Sequence, residues 1–195
     1  MEAVVLEHTK RPDYASCFDR AWFFTLAHTG IRISELLDLR LEDVNVEAGY
    51  ITVRGTKSDR DRIVYMTMQM QDALDFYLEQ RIDVSETDHF FVRERGQSPT
   101  SRTMLRRLRQ LGQLAGVDVT PHKLRHTLAT RLTNRGMPIE SLQKLMGHRH
   151  IHTTQIYAHV YNETVHAQFI DAMANVAKPL QSKMGRSLRQ SMQLE

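Results

Sequence analysis

The sequence predicts a mainly α-helical domain with a small antiparallel β-sheet. Three observations predict this fold class. Apolar residues recur at helical spacing along most of the chain, two short segments are rich in β-branched side chains, and glycine or proline marks the boundaries between elements. The 195 residues, 41% hydrophobic and 25% charged, suit one globular domain with a sizeable core.

The predicted elements follow from periodicity and from these boundaries. A core helix runs from Tyr14 to a stop at Gly30, where glycine suits a left-handed end. The further predicted helices are around 33–37, 69–82, 101–115, 121–135, 138–147 and 161–176. The predicted strands are 50–53, 62–66 and a third, short strand at 89–92.

Composition narrows the class of protein. The net charge of +3 is compatible with a polyanionic partner but too small to establish one. The lone cysteine, Cys17, cannot form an internal disulfide, which favours a reducing, cytoplasmic compartment. No stretch resembles a signal peptide or approaches the ~20 apolar residues of a membrane-spanning helix. We therefore expect neither secretion nor membrane insertion.

The segment 120–126 holds the first candidate site residues. On a helix that starts near Pro121, His122 and Arg125 lie three residues apart and share a face. A solvated basic helix end is the alternative interpretation of these residues alone.

The segment 145–159 places a histidine and a tyrosine close together in the chain. Gly147 ends a predicted helix, His148 follows it, and Tyr157 lies on the next turn. An ordinary half-buried tyrosine is the alternative for Tyr157. The histidines at 148, 150, 152 and 159 raise the hypothesis of a zinc site. Their spacing of two, with no cysteine or carboxylate partner, argues against it.

Three other sets of charged residues are candidates for anion binding. Arg32 lies at a predicted helix start, where backbone amides favour an anion, although it could instead pair with Glu35. Lys57 lies in a predicted hairpin turn, where a lysine is usually only solvated. The predicted helix 101–115 has a basic face that either contacts phosphates or is solvated, formed by Arg102, Arg106 and Arg109.

Taken together, residues 20–160 resemble the tyrosine recombinase (phage integrase) family, whose motifs occur here in order. These motifs are G-I-R-I-S-E-L-L, the hairpin lysine, H-x-L-R-H, G-H and T-T-x-x-Y. The positions that match the family's catalytic residues are Arg32, Lys57, His122, Arg125, His148 and Tyr157. Glu35 matches a carboxylate that supports the arginine and histidine network.

The resemblance implies the DNA breaking-rejoining fold and a reaction that needs neither a metal nor ATP. Tyr157 attacks a phosphodiester and forms a 3′-phosphotyrosyl bond, which a 5′-hydroxyl later reverses. The arginines and His148 stabilise the charge of the transition state. His122 is the base and Lys57 the general acid.

The resemblance also implies partners and an assembly. Double-stranded DNA is the expected partner, with a homotetramer on DNA and a monomer in solution. We predict one catalytic domain over 1–176 and a mobile tail over 177–195. Most family members carry an N-terminal core-binding domain, which nothing before Tyr14 could form. The chain therefore corresponds either to an excised catalytic domain or to a short single-domain invertase.

Two questions stay open at this point. A type IB topoisomerase-like enzyme shares the chemistry, and a catalytically silent DNA-binding module shares the fold. The predicted helix 161–176, with an apolar stripe, packs either on its own domain or on a neighbouring protomer. The filled catalytic positions favour a site-specific recombinase that acts on a mobile element or a replicon.

Overall fold

Helices enclose a small antiparallel sheet in the computed structural model of this chain. The structure describes residues 1–11, 13–55, 61–81, 87–147 and 160–176. The described helices are α1 (Glu2–His8), α2 (Tyr14–Thr29), α3 (Ile33–Asp38), α4 (Met68–Gln80), α5 (Ser101–Leu114), α6 (Pro121–Asn134), α7 (Ile139–Met146) and α8 (Val160–Val176). The described strands are β1 (Val44–Asn45), β2 (Tyr50–Val53) and β3 (Arg62–Tyr65). The predicted fold class is confirmed.

The predicted helices are all present, and their ends differ from the prediction by no more than two residues. The short helix α1 and a single 3-10 turn at Leu41–Asp43 are additional. Among the described helices, none has the length and apolar character needed to cross a bilayer. The predicted tail, 177–195, lies outside the described residues.

Helix α2 is the centre of the core. The Asp13 carboxylate caps its first turn, and the helix ends at Gly30, whose φ of 65° lies in the left-handed region. Trp22, Phe23 and Phe24 are each fully buried. Since buried residues occur all around this helix, α4 and α6 can pack on different sides of it. The loops at the two ends of α2 and α6 are thereby held in fixed positions.

The sheet has the order β1-β2-β3, with both pairs antiparallel. Val53 lies directly opposite Arg62, and Ile51 lies opposite Val64. Directly opposite residues of an antiparallel pair project from the same face. Because Ile51, Val53 and Val64 are buried, Arg62 projects from the face of the sheet that packs on the core.

The predicted third strand at 89–92 is wrong, because the third strand is β1. His89 makes only an isolated bridge to Arg40. The backbone after His89 is instead hydrogen-bonded to the hydroxyl of Tyr77, which accepts from the Val92 N–H at 2.9 Å and donates towards the Phe90 carbonyl at 3.2 Å. A buried tyrosine thus replaces the neighbouring strand that these apolar residues would need.

Helix α8 packs on its own domain, which answers the question left open by its apolar stripe. Its buried side chains are Val165, Phe169 and Ala172. The His166 ring stacks on Tyr65 of β3 with centroids 4.5 Å apart. The Ser141 hydroxyl of α7 donates to the Gln168 side chain at 2.5 Å.

Helix α1 is attached to the core through the Glu2 carboxylate. Arg131 of α6 donates to Glu2 at 3.0 Å, and His28 of α2 lies 3.8 Å from the second carboxylate oxygen. The other ring nitrogen of His28 is hydrogen-bonded to Thr67 at 2.7 Å. The contact with His28 is the largest influence, and with Arg131 it lowers the pKa of Glu2 from 4.5 to about 2 despite burial.

This lowered pKa predicts how the stability conferred by Glu2 depends on pH. A carboxyl whose pKa is lower in the folded state stabilises the fold above its unfolded pKa, and that contribution is lost as pH falls towards the folded pKa. We expect Glu2→Gln to lower the free energy of unfolding at neutral pH, with the difference from wild type shrinking between 4.5 and about 2. Urea denaturation across this pH range measures it. The matched control is Glu7→Gln on the same helix, where the carboxylate pairs with the exposed Lys10.

Candidate active site

Four segments of the chain meet where the candidate residues lie. They are the turn after α2 at Gly30, the first turns of α6, the end of α7 at Gly147, and strand β3. Both glycines have positive φ, 65° and 66°, so the chain reverses sharply at each of them. These reversals direct backbone carbonyl groups towards the arginine side chains of neighbouring segments.

Arg32 and Glu35 form a tight pair at the start of α3. The Glu35 carboxylate accepts from the Arg32 backbone N–H at 2.6 Å and from its Nη1 at 2.9 Å. Arg32 Nη2 donates to the Gly147 carbonyl at 3.3 Å. The Arg32 side chain is 43% exposed, whereas that of Glu35 is 9% exposed. The pairing with Glu35, expected from the sequence as one alternative, therefore holds an arginine that still faces solvent.

Arg62 is a second partner of the same carboxylate, and the sequence analysis did not identify it. Its Nη1 and Nη2 donate to the two oxygens of Glu35 at 2.9 Å and 2.8 Å, and its Nε donates to the Leu145 carbonyl at 3.2 Å. The signal that could have identified it is its position in a strand. An arginine that alternation places among buried residues needs a carboxylate partner.

Arg125 is held by two backbone carbonyls from different segments. Its Nη1 donates to the Gly30 carbonyl at 2.6 Å, and its Nη2 donates to the Met146 carbonyl. Each of these terminal nitrogens carries two hydrogens, so each keeps a further donor. Arg125 is therefore fixed between the segment that precedes Arg32 and the one that precedes His148.

The charges of the cluster are unbalanced, since three guanidinium groups surround one carboxylate. Burial alone would raise the pKa of Glu35, but hydrogen bonds from Arg62 and Arg32 outweigh it and hold that pKa below its ordinary value. Burial lowers the pKa of Arg125, as do the charges of Arg32 and Arg62. Arg125 nevertheless keeps its charge at neutral pH, because an arginine titrates far above that range. The excess positive charge suits a phosphate group.

His122 lies in the first turn of α6, on the face shared with Arg125. The Thr120 hydroxyl caps this helix by accepting from the Lys123 N–H at 3.2 Å, with Pro121 in the first turn. His122 is exposed, and no hydrogen bond joins it to another described residue. The structure brings Arg32, Glu35 and Arg125 together, with His122 one helical turn from Arg125.

The remaining candidates cannot be compared with the structure. Lys57, His148 and Tyr157 lie outside the described residues, as do the histidines at 150, 152 and 159. Their roles stay predictions.

The basic face of α5 lies on the surface. Arg102, Arg106 and Arg109 are exposed, while Met104, Leu108 and Leu111 are the apolar side chains buried on the other face. Arg107 anchors the helix, because it donates at 2.7 Å to the buried Asp19 of α2. A polar groove of about 820 Å³ beside the helix is lined by four arginines, Arg93, Arg95, Arg106 and Arg107. This surface has the charge that contact with a phosphate backbone requires.

Comparison with known proteins adds an independent observation. The family described as "Phage integrase family" matches residues 2–164. The tyrosine recombinase XerA of Pyrococcus furiosus is 39% identical over 145 residues, which are 73% of this chain and 50% of XerA. The tyrosine recombinase XerD of Listeria innocua is 35% identical over 149 residues, with the same two coverages. The chain thus spans about half the length of the curated relatives it matches.

A solved structure resembles the whole chain. The crystal structure of XerA recombinase superposes with a TM-score of 0.69 at 29% identity, covering 100% of this chain and 63% of that one. The order of helices and the small sheet described above are thus shared with a recombinase.

Proposed function

We propose that this chain, which belongs to the phage integrase family, provides over residues 1–176 the catalytic domain of a site-specific DNA recombinase or integrase. It cuts and rejoins double-stranded DNA through a 3′-phosphotyrosyl intermediate. One observation supports this most strongly: Arg32 and Arg125 are anchored to adjoining turns, at Gly30 and at 146–147, so that two guanidinium groups converge at the protein surface.

The charge of the cluster fits the reaction. A phosphodiester carries one negative charge, and its pentacoordinate transition state carries more on the non-bridging oxygens. Three guanidinium groups opposed by one carboxylate leave an excess of positive charge to stabilise that state. In this proposal Arg32 and Arg125 bind the non-bridging oxygens, His148 donates a further hydrogen bond, and Glu35 holds Arg32.

Proton transfers account for the rest of the reaction. The Tyr157 oxygen attacks phosphorus as His122 takes the phenolic proton, and the bond from phosphorus to the 5′-oxygen breaks. Lys57 protonates that departing oxygen. Tyrosine has a reference pKa near 10, so about 0.1% is ionised at neutral pH and a base is needed. Attack by a 5′-hydroxyl on the phosphotyrosine reverses each step, so the chemistry consumes neither ATP nor a metal-bound water.

The proposed partner and assembly follow from the same chemistry. Phosphates of double-stranded DNA contact the basic face of α5, at Arg102, Arg106 and Arg109. Exchange between two sites requires four active sites, which corresponds to a homotetramer on DNA formed from monomers in solution. The enzyme acts in the cytoplasm on nucleoid or mobile-element DNA.

Covalent trapping tests the proposal with a target site of any sequence. The full chain is incubated, with EDTA present, with a pool of nicked duplexes of randomised sequence. The nick lets the short cleaved fragment diffuse away. We expect a protein–DNA band that resists denaturant, with DNA joined through its 3′-phosphate. Peptide mapping identifies the linked tyrosine, and sequencing of the trapped DNA identifies the site.

The alternatives predict different results. A catalytically silent module binds the pool but yields no band. A topoisomerase-like enzyme relaxes a supercoiled plasmid that carries one recovered site but does not exchange strands between two. Either result would contradict site-specific recombination.

A further inference from the structure

Arg62 is a charged side chain on the inner face of the sheet. It lies opposite the buried Val53, and its own side chain is 12% exposed. Placing a guanidinium group there is unfavourable unless its donors are satisfied. Its position therefore calls for an account of what each donor does.

The donors of Arg62 are directed to two other segments. Nη1 and Nη2 form a bidentate pair with Glu35 at 2.9 Å and 2.8 Å, and Nε donates to the Leu145 carbonyl of α7 at 3.2 Å. A fork of this kind fixes the plane of the carboxylate as well as its position. Because Arg62 is the less exposed of the two arginines that bind Glu35, it determines how Glu35 presents its oxygens to Arg32.

The guanidinium group of Arg62 also packs against the backbone that ends α7. A Cβ atom on Gly147 would lie 3.0 Å from Cζ of Arg62. Glycine at this position, with φ of 66°, permits both the turn and the close approach. The carbonyls of this same turn accept from Arg32 Nη2 and Arg125 Nη2.

We propose that Arg62 is a positioning residue that aligns Arg32 and Arg125 for the reaction, acting through Glu35 and the 145–147 turn. The inference rests on the proposed function. Arg62 does not itself bind the phosphate, since Nε, Nη1 and Nη2 each donate to a protein acceptor. It joins strand β3, the start of α3 and the end of α7 into one rigid support for the two arginines.

Changes at Arg62 should therefore act on the rate of cleavage more than on DNA binding. Lysine keeps the charge but cannot form the bidentate fork and contact Leu145 at once. Glutamine also removes the charge, which leaves Arg32 as the arginine on Glu35. A displacement of about 1 Å at catalytic groups can cost about 100-fold in rate. We expect a loss of that size for Arg62→Gln and a smaller loss for Arg62→Lys.

The experiment uses the full chain and a nicked duplex recovered by covalent trapping with the wild type. Cleavage is measured in a single turnover with enzyme saturating, alongside the Kd for an intact duplex and the Tm of each variant. The control is Arg54→Lys, because Arg54 also pairs with carboxylates, Glu42 and Asp43, and lies beside the same hairpin. We expect the cleavage rate to fall at Arg62 alone, with Kd unchanged in every variant.

A double variant separates positioning from a general loss of stability. If Arg62 acts through Glu35, Glu35→Gln combined with Arg62→Gln loses no more rate than the worse single variant, because coupled residues are not additive. Losses that multiply would overturn the proposal, as would wild-type cleavage by folded Arg62→Lys and Arg62→Gln or an equal loss in Arg54→Lys. If Arg62→Gln does not fold, Arg62→Lys decides the rate comparison. A wild type that traps no DNA rejects the proposed function first, and so is distinguishable.

Discussion

Tyr157→Phe is expected to abolish the covalent protein–DNA complex while DNA binding and the melting temperature stay at their wild-type values. The substitution removes one hydroxyl, which is the only oxygen that residue could contribute to a phosphotyrosyl bond. No other group of phenylalanine can attack phosphorus, so the loss is complete rather than graded. Denaturing electrophoresis with the nicked duplex pool measures it directly.

Tyr161→Phe is the matched control, since Tyr161 is the next tyrosine along the chain, within α8. It should trap DNA as the wild type does. If Tyr157→Phe forms the same band and Tyr161→Phe does not, the nucleophile is Tyr161 and the alignment of the T-T-x-x-Y motif is wrong. If both variants form the band, a third residue carries the bond and neither assignment holds.

The elements that the sequence predicts well are those whose burial is visible in a single segment. Helix α2 runs from Tyr14 to Gly30 because apolar spacing and a glycine stop both act locally. The third strand could not be predicted in this way. Residues 90–92 are as buried and apolar as a strand, but the hydroxyl of Tyr77 satisfies their backbone. Helix α1 is too short to show periodicity and depends on contacts of Glu2 with distant residues.

The candidate site divides along the same line. Arg32, Glu35 and Arg125 are found from motifs, because each motif lies within a few consecutive residues. Arg62 carries no motif in this sequence. Its role depends on a carboxylate in α3 and a carbonyl in α7, which only the folded chain brings to it. Local sequence can therefore identify the groups proposed to touch DNA, whereas the residue that holds them in place required the register of β3.

Arg125→Lys is expected to lower the single-turnover cleavage rate by about 1,000-fold, the upper range for removing one donor from a preorganised anion site. Arg125 holds the Gly30 and Met146 carbonyls with two nitrogens and still has a hydrogen on each. A lysine ammonium is one centre with three hydrogens and cannot span both carbonyls and a phosphate. Charge is retained in this variant, so the loss reports geometry. Rapid-quench measurement at saturating enzyme gives the rate.

Arg131→Lys controls for a general effect of arginine on α6. Arg131 lies on the same helix, is half exposed and pairs with Glu2 on the side of α1. It should cleave at the wild-type rate with a slightly lower Tm. If Arg125→Lys remains folded and cleaves as fast as the wild type, Arg125 only braces the Gly30 and Met146 turns, and the positive charge that stabilises the transition state must come from elsewhere. The contrast is decisive because a bracing role predicts loss of Tm without loss of rate, whereas a role at the phosphate predicts the reverse.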